Sequence, residues 1–180
     1  MSRDEKYLAQ CEPASEPQIR ELETTIGCNL PHAYRTFLQK VNGFAIREKY
    51  SEPFRVPAYD KDFLVNRFYG VCADKRSLNI NKKRASSLAS LPNWMLPIAD
   101  WAGAEPKYLL DLRPEKSGAI YAQIIDDYPY NANPPFTSEE MWPDKAPEDV
   151  SEAHLEELET YWYICENIDE LLRLAGIEVP

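Results

Sequence analysis

Several features that would assign a sequence to a common class are missing from this one. No run approaches the roughly 18 consecutive apolar residues that a membrane helix requires, so we do not expect a membrane protein. No apolar stretch follows the charged start at residues 1–6, so we expect no secretory signal and a cytoplasmic location. Glycine is scarce, with 6 residues against 15 prolines, which favours rigid loops over flexible linkers.

The usual signatures of catalysis are also missing. The chain has only two histidines, His32 and His154, and neither lies at motif spacing from a cysteine or serine. We find no nucleophile elbow, phosphate-binding loop, zinc-protease helix or dinucleotide fingerprint. We therefore expect a protein that is not an enzyme, with no catalytic residue, no cofactor and no metal site.

The four cysteines, Cys11, Cys28, Cys72 and Cys165, are widely separated and form no C-x-x-C pair. Such spacing does not indicate a zinc site. In a cytoplasmic protein we expect all four to be reduced thiols that act as small apolar residues.

Two adjacent carboxylates, Asp126 and Asp127, are the best candidates for acid chemistry. Paired carboxylates bind divalent metals, so an enzyme that uses this acidic segment remains an alternative. Neighbouring side chains on an extended chain point to opposite sides, however. We therefore favour a solvated strand end with turn hydrogen bonds.

The remaining composition indicates one soluble α+β domain over residues 1–180, with a core at about 15–176. The 180 residues are 44% apolar, enough to build a hydrophobic core without staples. Charge is divided unevenly. Residues 1–125 hold 18 basic and 15 acidic residues, whereas residues 126–180 hold 2 and 15, which gives +3 and −13. The acidic part repels nucleic acid and anionic membranes and attracts basic proteins.

The first 43 residues predict two packed helices. Ser15 and Gln18 form a capping-box pattern, and Gly27 suits the end of the first helix. A second helix is predicted from Leu30-Pro31 to Asn42-Gly43, with an apolar stripe on one face. The short link predicts a helical hairpin.

The rest of the chain predicts mainly strands and one closing helix. We predict strands at 65–71, 107–112, 119–125 and 161–165, a compact apolar run at 94–99, and a turn at 114–118. We predict short helices at 82–90 and 151–159, an ordered proline-rich loop at 128–150, and a closing helix that Asn167 caps and that runs to Gly176. Helices followed by a meander of strands favour an α+β fold.

Four of these features, in this order, resemble the SUKH superfamily, which includes yeast regulators of cell-wall synthesis and the bacterial Syd protein. They are the helix holding Ile19, Leu22, Glu23 and Ile26; Leu30-Pro31 with Tyr34, Phe37, Leu38 and Asn42-Gly43; Leu96-Pro97-Ile98-Ala99 with Gly103, Tyr108–Leu112 and Gly118–Tyr121; and the closing helix at Asn167–Leu172. The resemblance implies helices packed on a mixed or antiparallel sheet, and a function in binding another protein. Bacterial relatives resemble antidotes to polymorphic toxins, often nucleases.

A carboxylate-rich segment with interspersed aromatic rings is how an interface for a basic partner is built. The residues that we predict to bind this partner are Asp126, Asp127, Tyr128, Tyr130, Glu139, Glu140, Trp142, Asp144, Glu148, Asp149, Glu152 and Glu156. Rings at 161–163 belong to the same part of the chain. The competing interpretation is that these rings lie in the core.

The leading hypothesis is therefore an immunity protein that neutralises a basic toxin, such as a nuclease, by stoichiometric occlusion. The alternative is an intracellular scaffold or regulator like the fungal relatives. A basic patch could contact nucleic acid, but the charge of the whole molecule opposes this, and we expect a solvated loop. Its residues are Lys75, Arg76, Lys82, Lys83 and Arg84.

Overall fold

The computed structural model describes residues 3–59, 61–87, 91, 94–102, 104–124 and 161–179. Its α-helices are α1 (Arg3–Lys6), α2 (Glu16–Ile26), α3 (His32–Lys40), α4 (Ile80–Ser87) and α5 (Ile168–Leu174). Its strands are β1 (Tyr7–Gln10), β2 (Phe44–Ile46), β3 (Phe54–Arg55), β4 (Asp62–Phe63), β5 (Arg67–Phe68), β6 (Met95–Trp101), β7 (Ala104–Asp111), β8 (Ile120–Gln123) and β9 (Tyr161–Cys165). Short 3₁₀ turns lie at Glu48–Tyr50, Arg76–Leu78 and Pro114–Lys116.

Local capping sets the bounds of α2. The Gln18 side chain accepts hydrogen bonds from the backbone N–H of Ser15 at 2.9 Å and from its hydroxyl at 2.8 Å. Gly27 ends the helix with φ of 80°, a left-handed conformation that costs glycine little. The predicted first helix is confirmed at both ends.

The two helices form the predicted hairpin. Arg35 on α3 reaches back to α2, where its guanidinium pairs with Glu16 and, at 2.6 Å, with Glu23. Glu23 also accepts a hydrogen bond from the backbone N–H of Leu30 at 3.0 Å. The Arg35–Glu23 pair is mostly shielded from solvent, so it helps to fix the angle between the helices.

Seven strands form one antiparallel sheet in the order β1-β2-β5-β6-β7-β8-β9, and β3 pairs with β4 as a separate hairpin. The predicted hairpin is the β7–β8 pair, in which Leu109 lies opposite Tyr121. The resemblance implied a mixed or antiparallel sheet, and every strand pair in the described residues is antiparallel. The α+β class is confirmed.

The main core lies between one face of the sheet and α2, α3 and α5. Fully buried rings at its centre include Phe44 and Phe68, whose centroids are 4.7 Å apart. Because side chains alternate along a strand, the neighbouring residues face the other side of the sheet. There, a smaller cluster includes Leu109, Tyr121 and Tyr161.

The family-like Asn-Gly pair has a structural explanation. Asn42 has φ of 61°, and its side chain donates to Glu12 O at 2.7 Å and accepts from the N–H of Val71 at 2.8 Å. A β-carbon on Gly43 would come within 2.7 Å of the backbone nitrogen of Gly70. The pair therefore connects the end of α3 to two distant chain segments. Glycine is required at position 43 because a β-carbon there would clash with the backbone of Gly70.

The family-like proline lies inside a central strand. Pro97 is tolerated there because β5 pairs with β6 only at Ala99 and Asp100, so this part of β6 has no β5 residue opposite it. The register to β7 also shifts between Pro97 and Ala99, as at a β-bulge.

The prediction of a continuous strand at 65–71 is wrong in its extent. Only Arg67 and Phe68 form β5. The backbone of Asn66 still bonds to both neighbouring strands, since its O accepts the N–H of Ile46 at 2.7 Å and its N–H donates to Asp100 O at 3.2 Å. Its side-chain oxygen also accepts the N–H of Ala102 at 2.7 Å. Tyr69 still donates its N–H to Ile98 O at 2.7 Å, and the chain then leaves the sheet, where Gly70 forms an isolated bridge with Asn79. The predicted helix at 82–90 begins earlier, at Ile80, because the Asn79 side chain accepts the N–H of Lys82 at 3.0 Å.

The cysteines correct another expectation. Cys11 and Cys72 form a disulfide, with their α-carbons 6.0 Å apart, although we expected four reduced thiols. Both are buried beside Ala45 and Leu78 on the face opposite the main core. The fold brings together residues 61 positions apart in the sequence, a proximity that cysteine spacing does not reveal. Cys28 and Cys165 are free.

Candidate functional site

The predicted binding residues cannot be placed in this fold. Asp126 to Glu156, with the predicted loop at 128–150 and helix at 151–159, lie outside the described residues. What the structure does describe of the acidic part is its end, residues 161–179, which contains β9 and α5. We therefore take β9 and its flanking carboxylates as the candidate site.

The three consecutive rings of β9 have different surroundings. Tyr161 is fully buried, and its hydroxyl accepts a hydrogen bond from the Gln123 side chain at 3.0 Å. Trp162 is half-buried, whereas Tyr163 is 36% exposed. The interpretation of these rings as core residues is thus right for Tyr161, and Tyr163 remains available as a contact residue.

Trp162 belongs to an aromatic cluster on the helical face of the sheet. The ring of Tyr59 meets it edge-on at 4.9 Å, and the ammonium of Lys61 lies 5.6 Å from its centroid. Burial lowers the pKa of Lys61. This cluster joins the segment between β3 and β4 to the edge of the main sheet.

Tyr163 lies on the opposite face of the sheet. Its ring meets Tyr121 edge-on at 5.8 Å, and its hydroxyl donates to Glu166 Oε1 at 3.4 Å. Partial burial, together with the nearby carboxylate of Glu166, raises the pKa of Tyr163 to about 12. At neutral pH the phenol is therefore a protonated donor beside a carboxylate.

The carboxylates that follow β9 have mixed roles. Asn167 caps α5 by accepting the N–H of Glu170 at 3.1 Å, which confirms the predicted cap. The Glu170 side chain accepts the N–H of Glu166 at 3.2 Å, one residue before the position that a capping box uses. The helix ends at Leu174, before the predicted Gly176. Glu170 is thus partly structural, whereas Glu166 and Asp169 are exposed.

β9 is the last strand of the seven-stranded sheet. It pairs with β8 on one side, with Tyr163 opposite Tyr121 and Tyr161 opposite Gln123. In the part of the chain that the structure describes, no strand pairs with its other side. The candidate site therefore combines a strand edge, one exposed ring and exposed carboxylates.

The basic patch is largely tied into the fold. The ammonium of Lys75 donates to Gln10 O, Lys83 lies 3.7 Å from the carboxylate of Asp100, and Arg84 lies 3.5 Å from Thr25 O. Arg76 and Lys82 are exposed. These bonds favour a structural role for most of the patch over contact with nucleic acid.

The buried acids have structural partners. Asp100 accepts from the hydroxyl of Tyr69, and Asp111 pairs with Arg113 at 2.8 Å.

Within the described ranges, no group of three or more His, Cys, Asp and Glu residues is placed to hold a metal ion. No helix within those ranges has the length and apolar content to cross a membrane. His32 is exposed at the start of α3, and His154 lies outside the described residues.

Comparison with known proteins supports the resemblance that the motifs indicated. A search of curated proteins finds no match. The sequence model of the SMI1 / KNR4 family (SUKH-1), in contrast, matches residues 13–144, well over half of the chain. This match includes α2, α3 and the sheet from β2 to β8. The chain belongs to the SMI1 / KNR4 family (SUKH-1).

Proposed function

We propose that this protein is a cytoplasmic, single-domain immunity protein that binds a basic toxin, such as a nuclease domain, and blocks it by stoichiometric occlusion. The observation that carries the proposal is the concentration of charge: residues 126–160 hold 11 acidic residues and one basic residue. Membership of the SUKH group is consistent with this role. The mechanism needs no catalytic residue in this chain.

Electrostatic attraction and aromatic contacts would have separate roles in such a complex. Carboxylates concentrated in one part of the chain raise the rate at which a basic partner arrives. Rings that become buried in the complex lower the rate at which it leaves. The predicted contact residues remain the twelve named above between Asp126 and Glu156, and we add exposed Tyr163 and Glu166 to the proposed surface.

The test is binding to the protein encoded in the adjacent reading frame. One variant replaces Asp126, Asp127, Glu139 and Glu140 with the corresponding amides, and a matched control makes the same change at Glu5, Glu21, Glu48 and Glu52. We expect the first variant to slow association by about tenfold or more at low salt, and the control to keep nearly the wild-type rate. Stopped-flow measurements over a range of salt concentrations provide the rates.

Two results would contradict the proposal. One is an adjacent product that does not bind, or binds without losing its toxic activity. The other is equal slowing by the two variants, which would mean that total charge matters and its location does not.

The second candidate function is a scaffold or regulator. It is favoured by membership of the SMI1 / KNR4 family, because the resemblance described above includes yeast regulators of cell-wall synthesis. The discriminating observation is the set of proteins captured from the native cell. A single stoichiometric toxin favours the immunity protein, whereas several partners with no toxin among them favour the scaffold.

A further inference from the structure

We propose that a cationic groove beside β2 binds a short acidic segment of a partner protein. The groove includes part of the face of the sheet opposite the main core, where Ala45 of β2 pairs with Arg67 of β5. Its volume is about 440 Å³, within the range of about 300–1,000 Å³ that is typical of ligand sites. It uses none of the residues that we predict to bind the toxin, so this inference goes beyond the proposed function.

Basic residues dominate the lining of this groove. Arg47, Lys49 and Arg67 contribute positive charge, and Glu48 is the one acid among the described lining residues. The other described lining residues are Leu8, Ala45, Ile46, Asn66 and Ala102. Local positive charge in a chain of net charge −10 attracts anionic groups that the molecule as a whole repels. The groove therefore favours an anionic ligand, in contrast to the acidic part of the chain.

Arg67 is the most informative of these cations. Its side chain is only 21% exposed, yet its guanidinium makes no hydrogen bond within the part of the chain that the structure describes. The carboxylate of Asp100 lies 3.8 Å from Arg67 Nε, beyond hydrogen-bond distance, and it also accepts from the hydroxyl of Tyr69. A guanidinium has five N–H donors in a planar fork that matches a carboxylate. Arg67 therefore offers donors to an incoming carboxylate.

Two exposed cations follow β2, on either side of Glu48. Neither Arg47 nor Lys49 forms an ion pair with a described residue. The ammonium of Lys49 lies 4.7 Å from the ring centroid of Tyr50, a contact that orients the charge without neutralising it. Such cations attract a ligand over roughly 8 Å at physiological salt. They raise the rate at which an acidic segment arrives, whereas Arg67 binds one of its carboxylates.

The balance of charge and apolar surface indicates the kind of anion. Glu48 and buried Asp100 partly offset the three cations, which favours singly charged carboxylates over doubly charged phosphates. The Leu8 side chain is 60% exposed, and Ala45 adds a second apolar group to the lining. A peptide that alternates carboxylates with apolar side chains matches both properties.

A second copy of this chain is a less suitable occupant. Its residues 126–180 hold 15 acidic and 2 basic residues, so this part would be attracted to the groove. Two chains of net charge −10 repel each other, however, and this repulsion opposes their association. The favoured occupant is therefore an acidic segment of a different protein.

The direct test is a titration of the full chain with synthetic peptides, followed by NMR of the backbone amides. The probe is a capped peptide of three Leu-Glu repeats, and the control peptide has lysine in place of glutamate. We expect saturable shifts at Ala45–Glu48, Arg67 and Ala102 with the acidic peptide alone. The amides of α5, which packs on the other face of the sheet, should not change. Higher salt should weaken the binding, because the attraction is partly screened.

Matched variants separate the groove from the total charge. Arg47→Gln with Lys49→Gln removes the two exposed cations of the groove, and should weaken binding of the acidic peptide about tenfold. Arg76→Gln with Lys82→Gln removes one exposed arginine and one exposed lysine of the basic patch, and should change binding less than about twofold. Glu48→Gln should strengthen binding by about twofold to threefold, a gain that damage to the fold would not produce.

Arg67→Lys tests the planar fork by itself. Lysine keeps a positive charge near Asp100, so the fold should be retained, but it lacks the fork that holds a carboxylate by two hydrogen bonds. We expect binding of the acidic peptide to weaken by about fivefold, while thermal unfolding stays close to that of the wild type. Unchanged binding would overturn the role of Arg67.

Five other results would overturn the inference. The acidic peptide could cause no shift at the groove, or the lysine peptide could cause the same shift. Equal losses in the two double variants would mean that total charge matters and its location does not. Equal shifts with acetate at the same carboxylate concentration would mean that the site binds simple carboxylates and selects no peptide. Shifts at the groove that depend on protein concentration without any peptide would assign it to a second copy of this chain.

Discussion

The two edge strands of the sheet are held in different ways. The chain leaves β1 directly into Cys11, which is covalently joined to Cys72, and Gln10 O accepts a hydrogen bond from the ammonium of Lys75. The hydroxyl of Tyr7 donates to the backbone of Glu178 at 3.0 Å. In the described part of the chain, β9 has no disulfide, since Cys165 is a free thiol. Instead it has an exposed ring and nearby carboxylates.

This difference indicates that β1 is held by covalent and hydrogen-bonded ties, whereas β9 presents an exposed ring beside carboxylates. Covalent and hydrogen-bonded ties at β1 reduce the chance that this edge opens to a new strand. At β9 the ties run inward, through buried Tyr161 and the cap of α5, and leave Tyr163 exposed. The comparison predicts that changes at β1 affect stability, whereas changes at exposed Tyr163 and Glu166 affect binding.

Removing the disulfide at the β1 edge should have the largest effect. The bridge closes a loop across 61 sequence positions, and the chain-entropy relation gives about 4 kcal/mol of unfolding free energy for such a loop. We expect Cys11→Ser with Cys72→Ser to lose this amount under oxidising conditions, as measured by urea denaturation. Reductant should reduce the stability of the wild type and leave that of the double variant unchanged.

Cys28→Ser is the matched control, because Cys28 is free and half-exposed. This variant should keep the response of the wild type to reductant. If reductant does not change the stability of the wild type, and if four free thiols are measured in it, the disulfide at β1 is contradicted. The comparison between β1 and β9 would then lose its covalent contact.

The next prediction compares two tyrosines within β9. Tyr161→Phe removes the acceptor of a hydrogen bond from Gln123, whose side chain is also buried, and should cost about 1–3 kcal/mol. Tyr163→Phe changes an exposed residue and should cost less than about 0.5 kcal/mol. Thermal unfolding monitored by circular dichroism measures both. Equal losses would mean that Tyr163 is also structural, and β9 would then not differ from β1.

How far the sequence predicted this molecule depends on the range of each interaction. The caps of α2 and α5 join residues three apart, so Ser15, Gln18 and Asn167 could be recognised from spacing. The composition of β9 likewise identified a strand. Helix ends and strand composition are local properties, and the sequence expresses them directly.

Interactions between distant residues were not predictable in the same way. Cys11 and Cys72 meet only because β1 and the segment after β5 lie near β2. The separate surroundings of Tyr161 and Tyr163 depend on which neighbouring strand and face each ring meets. A single sequence indicates that alternate residues face opposite sides, but it does not indicate what covers either side.

The smallest predicted effect concerns the phenol of Tyr163. Partial burial is the largest cause of its raised pKa, and the carboxylate of Glu166 adds to it. Glu166→Gln should therefore lower this pKa from about 12, while burial should keep it above the ordinary value of 10.0. A titration that follows the tyrosine ring carbons by NMR measures the change, and Glu48→Gln should produce none.

The sign of the effect on stability follows from the same direction of shift. Because the phenol keeps its proton to higher pH in the folded chain, the unfolded chain releases protons first as pH rises. The contribution of Tyr163 is therefore complete below about pH 10 and is lost as pH rises toward about 12. In the Glu166→Gln variant the upper limit of this pH range should fall, because the pKa of Tyr163 in the folded chain is lower. An unchanged pH range would mean that Glu166 does not act on Tyr163, and the comparison between β1 and β9 would lose the carboxylate–phenol pair on the exposed side of β9.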